Sequence, residues 1–198
     1  GGALNTGDRN VFIGDSSGDA ATDAQYNVGI GNDALTSLTS GHSNTAVGLN
    51  THAALTTGDY NIAIGTNAAD GFDTEDHNLA IGYAALGGSV AGGQYNVAIG
   101  NYAGDAITSG DNNTLVGYNV GSGFNTGSEN TLIGTELSMA NATHNNAIII
   151  GSSIAGNGDR FSFGSSGNVV QNTFTSDANW SRTSDERLKT NITSIDYN

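Results

Sequence analysis

A short run of alternating apolar residues, opened by asparagine and closed by glycine, returns at a fixed interval along this chain. It reads Asn10-Val-Phe-Ile-Gly14, then Asn27 to Gly31, Asn44 to Gly48, Asn61 to Gly65 and Asn78 to Gly82. It continues as Asn96 to Gly100, Asn113 to Gly117 and Asn130 to Gly134, and a ninth copy, Ala147 to Gly151, has Ala in place of Asn. The array is thus a 17-residue repeat, and its interval lengthens by a single residue only between Gly82 and Gly100. The extra residue falls in the stretch Gly87 to Gly93 and reads as a loop insertion.

Other positions keep the same phase. Three residues after the closing glycine stand Ala34, Ala68, Ala85, Ala103, Val120 and Leu137. Seven after it stand Leu38, Leu55, Phe72, Ile107 and Phe124, and ten after it Gly41, Gly58, Gly110 and Gly127. Carried backward, the phase puts Leu4 and Gly7 at these offsets, so the array is expected to be under way before residue 1.

Each unit predicts a short β-strand, because β-branched residues alternate with a period of two. Val11 and Ile13 share one face, as do Ile62 and Ile64. The residue between them takes the other face. That middle residue is Phe12, Gly29, Ala46, Ala63, Ala80, Ala98, Leu115, Leu132 and Ile149 in turn. Its small size is read as an outward row meeting another surface, and its growth towards the C-terminal end as a change in that interface. We expect this row to face a symmetry axis between identical chains. A single unit cannot bury its own apolar face, whereas stacked units can. The predicted fold is therefore all-β: a parallel β-roll or β-solenoid of nine rungs over residues 1–151, roughly 43 Å long at about 4.8 Å per rung. The closing glycines (Gly14, Gly31, Gly48, Gly65, Gly82, Gly100, Gly117, Gly134, Gly151) permit a turn that a Cβ would obstruct. The asparagines (Asn10, Asn27, Asn44, Asn61, Asn78, Asn96, Asn113, Asn130) can bond amide to amide from rung to rung.

Composition narrows the function. The 198 residues hold 30 Gly, no Pro and no Cys, with a net charge of −14. Residues 1–151 carry 14 acidic residues and one basic residue, Arg9. Such a shaft repels nucleic acid and anionic lipid, so neither is an expected partner. No apolar run approaches the roughly 18 residues that a membrane span needs. No signal peptide is visible. His42, His52, His77 and His144 fall at different offsets in turn regions, without a His-x-His pair, so no metal column is expected. The acidic stretch Asp70 to Asp76 reads as a solvated loop, because the nonapeptide of calcium β-rolls is absent. No cofactor is expected. A polysaccharide-cleaving tailspike would need paired carboxylates across a groove, and the repeat offers scattered turn acids.

The units Asn61-Ile-Ala-Ile-Gly65 and Asn96-Val-Ala-Ile-Gly100 resemble the repeats of trimeric autotransporter adhesin heads of the YadA type, and related repeats of bacteriophage tail fibres. The resemblance implies a homotrimer of parallel β-rolls. The unit here is longer than that of the adhesin heads.

After Gly151 the period lapses. Residues 152–183 read as a β-rich transition, with alternation at Phe161-Ser-Phe163 and from Val169 to Phe174, and Trp180 packed on a neighbour. Residues 184–198 carry a second resemblance. The string Thr183-Ser-Asp-Glu-Arg-Leu-Lys-Thr-Asn-Ile192 is similar to the opening of the self-cleaving intramolecular chaperone domain (peptidase S74) of phage tailspikes and fibres. In that family the Ser attacks the bond that follows it, with the Lys five residues on as base. The resemblance implies Ser184 as nucleophile, Lys189 as base and Ser184–Asp185 as the scissile bond. Ser is a weak nucleophile until a base takes its proton, and Lys can do so only where desolvation lowers its pKa.

Together these features predict the shaft of a virion tail fibre or tailspike: a homotrimer anchored upstream on a tail or baseplate and serving attachment to a host-cell receptor. Its one chemical act would be a single-turnover autoproteolysis, not enzyme turnover. A bacterial surface adhesin with the same repeat is the alternative.

Overall fold

The computed structural model describes residues 6–88, 93–123 and 125–174, and the backbone of residues 181–183. Phe124, Trp180, Ser184 and Lys189 lie outside the described residues.

The strands fall where the motif recurs: β1 (Val11–Ile13), β2 (Val28–Ile30), β3 (Thr45–Val47), β4 (Ile62–Ile64), β5 (Leu79–Ile81), β6 (Val97–Ile99) and β7 (Thr114–Val116). They continue with β8 (Thr131–Thr135), β9 (Ser138–Met139), β10 (Ile148–Ser152), β11 (Ala155–Gly156), β12 (Arg160–Ser165), β13 (Asn168–Thr173) and β14 (Ser181–Thr183). From β1 to β12 the main sheet is parallel, each strand pairing with its counterpart one coil on, while β9 and β11 pair separately. Equivalent residues lie opposite one another: Gly29 against Ala46, Ala46 against Ala63, Ala98 against Leu115. The lengthened step leaves this register intact, with Leu79 against Val97, so the added residue is absorbed between strands. This is a parallel β-solenoid, and no helix among the described residues is long and apolar enough to cross a membrane.

Backbone bonds join the coils all the way round. On the strand side Val28 N donates to Asn44 O and Gly48 N to Ile30 O, both at 2.8 Å. On the opposite side, which is not regular strand, Leu35 N still donates to Thr51 O and His52 N to Ala68 O, both at 3.1 Å. Left-handed residues bend the coil at fixed offsets. In the fourth rung these are Tyr60 (φ 59°), just before the Asn, and Asn67 and Ala69 (φ 56° and 49°), two and four residues past the Gly. The closing glycine itself has φ between 130° and 150° in the nine copies. A Cβ on Gly65 would lie 2.4 Å from the carbonyl oxygen of Gly82 above it, so no other residue fits there.

The strand faces are the reverse of the sequence expectation. The middle residue points into the coil: Ala46, Ala63, Ala98, Leu115, Leu132 and Ile149 are fully buried. The β-branched pair points outward, with Val11 46%, Ile13 58%, Ile62 41% and Ile64 40% exposed. The physical reason is the narrowness of so short a coil. The wall opposite the strand supplies Leu38, Leu55, Phe72 and Ile107, all fully buried, and little room remains for the strand side.

The growth of the middle residue is therefore a core event and not an interface event. It is matched by shrinkage at the position four past the glycine. Leu35, His52, Ala69 and Leu86 stand there in the rungs centred on Gly29, Ala46, Ala63 and Ala80. Gly18, Gly104 and Gly121 stand there beside or under Phe12, Leu115 and Leu132. A Cβ on Gly104 would meet Leu115 Cδ1 and Leu86 Cδ2, each at 2.8 Å, and one on Gly18 would meet the Phe12 ring at 2.6 Å.

The sheet also extends one strand past the ninth copy. In β12 Phe161, Ser162, Phe163 and Gly164 pair in parallel with Ile148, Ile149, Ile150 and Gly151, across a connection shorter than the repeat. Ser162 takes the buried middle position and Gly164 has φ 132°, as the motif glycines do. Stacking ends there, because β13 turns back antiparallel on β12, and β14 on β13.

Candidate functional site

The asparagine column is inside the wall, not on it. Asn27, Asn44, Asn61, Asn78, Asn96, Asn113 and Asn130 are buried. Asn44 Oδ1 accepts from the backbone N of Asn61 (2.9 Å) and from its Nδ2 (3.2 Å). The Asn61 Nδ2 also donates to Glu75 O (2.6 Å), one residue of the corner loop above. The same backbone bond links every consecutive pair from Asn10 to Asn130 and ends on Ala147 N (2.9 Å). Each amide thus satisfies groups on two rungs that water cannot reach, and presents nothing to a ligand.

What the molecule does present is a flat outward face. The β-branched pairs of β1 to β8 and β10 line up rung on rung. Thr45, Thr114 and Thr131 are the only polar side chains among those pairs, and none is charged. Phe161 and Phe163 continue the face at its C-terminal end, their rings 5.5 Å apart.

Two columns of corner residues bound this face. Where the strands begin stand Arg9, Tyr26, Tyr60, His77 and Tyr95, one residue before the Asn position. Tyr60 stacks on His77 at 5.0 Å and 6°, and His77 on Tyr95 at 4.9 Å and 7°. The Arg9 guanidinium lies 5.1 Å from the Tyr26 ring centre and bonds to its hydroxyl. Where the strands end stand Leu49, Tyr83 and Tyr118, one residue past the glycine, and Tyr102, two past it, with Tyr83 and Tyr102 edge-on at 5.2 Å and Tyr102 and Tyr118 at 6.3 Å. Desolvation in this packed column, then the neighbouring Tyr83, raises the Tyr102 phenol above its ordinary pKa. The tyrosines of both columns are exposed. The stacked rings of the first column cover one another's faces, so they do not offer the open platform on which a sugar would stack.

Four acidic residues share these corners, Asp15, Asp33 and Glu136 after a strand and Glu129 before one; most of the others stand elsewhere. Burial raises the carboxyls of Asp70 and Asp105, against backbone hydrogen bonds that lower them. They hold the same offset two rungs apart, about 10 Å, too far to share a proton. Glu75, read from sequence as part of a solvated loop, is buried, and its carboxylate accepts from the backbone N of Asp73 and Thr74 at 2.6 and 3.0 Å. His52, read as a turn residue, is wholly buried in the core. Among the described residues no cluster of three or more His, Cys, Asp or Glu could hold a metal ion. A cavity of about 390 Å³ beside β12 and β13 is lined by Ser153, Asn157, Ser162 and Gln171 among others, with no ionisable side chain. Sequence reasoning missed both corner columns; the signals were Tyr or His recurring just before the Asn, and Tyr recurring one or two residues past the glycine. No family model, curated protein or solved structure matches this chain.

Proposed function

We propose that this chain is part of the structural shaft of a trimeric extracellular fibre, of the kind that carries a phage tail fibre or tailspike to its host. Three copies would pack side by side about a common axis, through the face built by the exposed β-branched pairs. The observation that carries this reading is the uncharged outward face on a chain whose net charge is −14. Nine strands of such pairs, with the corners on either side, make a strip about 43 Å by about 20 Å, or roughly 850 Å². That is near the ~800 Å² per partner that a stable interface covers, and beyond what monomers usually leave exposed. The same-sense parallel stacking suits a shaft, since its length adds rung by rung while its cross-section stays constant.

The sequence Ser184 to Lys189 supports the phage reading over a bacterial adhesin. On this proposal the chaperone that follows brings three chains into register and is then released by cleavage of Ser184–Asp185. Attachment to a tail upstream and to a host receptor through a tip completes the proposed role. Sedimentation equilibrium is the test. The expected mass is about three times the 20.0 kDa of one chain, and Ile64→Asp with Ile99→Asp should dissociate the assembly without unfolding it. A stable, folded monomer of the unsubstituted chain sinks the proposal. Mass spectrometry of the full-length product should find a chain ending at Ser184, and Ser184→Ala should abolish that cut.

A further inference from the structure

The two corner columns have a feature that the flat face alone does not explain. Tyr26, Tyr60 and Tyr95 sit at φ 60°, 59° and 58°, and Tyr102 at φ 58°. A left-handed backbone disfavours a side chain bearing a Cβ, and Asn or Gly bears it best. Asn112 and Asn119 occupy the same two offsets, with φ 57° and 50°. Tyrosine at these corners therefore works against the local backbone, and its rings are exposed: Tyr26 49%, Tyr60 57% and Tyr95 53%. Burial by another surface would offset that cost.

Charge says which surface. The one basic residue of the array, Arg9, stands in the strand-start column of the first rung. Across the same rung, at the strand end, stands Asp15, one residue past the glycine, and Asp33 follows the next rung's glycine by two. From β1 to β12 the strands of the main sheet run the same way. Rotation about an axis parallel to the shaft therefore brings the strand-start column of one copy to the strand-end column of the next, at equal height.

We propose that the two corner columns are complementary halves of one heterologous contact between copies of this chain: Arg9 of one copy pairs with Asp15 of the next, and the Tyr60–His77–Tyr95 stack packs on the neighbour's Tyr83 and Tyr102. The inference rests on side-by-side association through the flat face and adds to it a direction and a register. The far end of the shaft behaves differently. The eighth rung sets Glu129 against Glu136, so the contact is weakest there, and Glu129→Gln tightens association.

The absence of cysteine from the chain allows a direct test. Arg9→Cys and Asp15→Cys are made singly and together, at exposed sites. Within one chain the two positions are six residues apart, up to about 20 Å across an extended strand, while a disulfide needs Cα atoms about 4.4–6.8 Å apart. Under oxidation the double variant should run as covalent multimers on a denaturing gel, and each single variant as a monomer. As a second measurement, Arg9→Asp should weaken association roughly tenfold or more, and adding Asp15→Arg should restore it. Covalent dimers from either single variant overturn the proposal, because like columns then meet. So does an assembly that persists in sedimentation while the double variant fails to cross-link and the charge swap fails to rescue. That result leaves association through the flat face standing. A monomeric unsubstituted chain overturns both.

Discussion

The rings of His52 and Phe72 lie 5.8 Å apart and tilted by 36°, in a core where neither imidazole nitrogen has a hydrogen-bond partner. Desolvation by burial lowers the His52 pKa from 6.5 to about 3. The unfolded chain takes up a proton as the pH falls below about 6.5, and the folded chain does not until about 3. Stability is therefore undiminished above about pH 6.5 and is lost progressively between about 6.5 and about 3. At pH 5 the loss is about 2 kcal/mol, at about 1.4 kcal/mol per unit. Leucine occupies the same offset at Leu35 and Leu86. His52→Leu should therefore raise stability and flatten its fall between pH 7 and pH 5. Melting curves of the two proteins that decline in parallel over that range would refute this.

Glycine at the strand end is required for two reasons at once, and substitutions can separate them. At Gly65 an alanine meets both φ +131° and the carbonyl oxygen of Gly82 at 2.4 Å. At Gly123 it meets φ +87° with nothing within 4 Å. Gly123→Ala should cost about 1–2 kcal/mol from the backbone alone. Gly65→Ala adds overpacking of about 1–3 kcal/mol to a backbone strain of about 1–3 kcal/mol, for about 2–6 kcal/mol in all. Equal midpoints for the two variants in urea would show that rung spacing is softer than the backbone bonding implies.

The period and the strand positions were legible because a stacked coil demands equivalent residues at equivalent places. The direction of the strand faces was misread although its signal was present. The Asn and the middle residue of each motif are two apart, so Asn61 and Ala63 must share a face, and Asn61 is buried. Exposed β-branched residues hid that parity, because apolar size is ordinarily evidence of a core. The added strand at Phe161-Ser-Phe-Gly164 was obscured by its shortened step, although its alternation and closing glycine repeat the motif. His52 was unreadable as a core residue because only the Leu35 and Leu86 equivalence places it there, and burying an unbonded imidazole runs against its usual preference. The corner tyrosines could be located by offset, but their left-handed backbone, and hence its cost, shows only in the folded coil.

The asparagine column should be stiffest in its middle. Removing the Asn61 amide takes from the backbone N of Asn78 its side-chain acceptor and from the Glu75 carbonyl the amide that donates to it. A buried polar group that loses its partner costs about 1–3 kcal/mol, so Asn61→Ala should lose at least about 1–3 kcal/mol by the same principle. Asn10 is only half-buried, and Asn10→Ala should lose less than half as much. Chemical denaturation compares the two. Equal losses would mean that the amides act locally and not as a column.

The trade of volume across the core gives the sharpest test of how these coils pack, because it predicts a rescue. Gly104 has φ 67°, and Ala69 holds the same offset at φ 49°, so a methyl group can stand there at a backbone cost of about 1–2 kcal/mol. Space is lacking as well, since a Cβ would stand 2.8 Å from both Leu115 Cδ1 and Leu86 Cδ2. Gly104→Ala alone should cost about 1–3 kcal/mol through overpacking, on top of that backbone cost. Leu115→Ala alone should cost about 2–5 kcal/mol through the cavity it opens. Together they should cost less than the sum by at least about 1 kcal/mol, because the new methyl enters the space that Leu115 vacates. The pair would then reproduce the residues of the fourth and fifth rungs, where Ala69 and Ala80 hold the same two offsets. Strictly additive losses in urea denaturation would break the link between the two positions. The coincidence of large strand residues with glycine four past the turn would then need another cause.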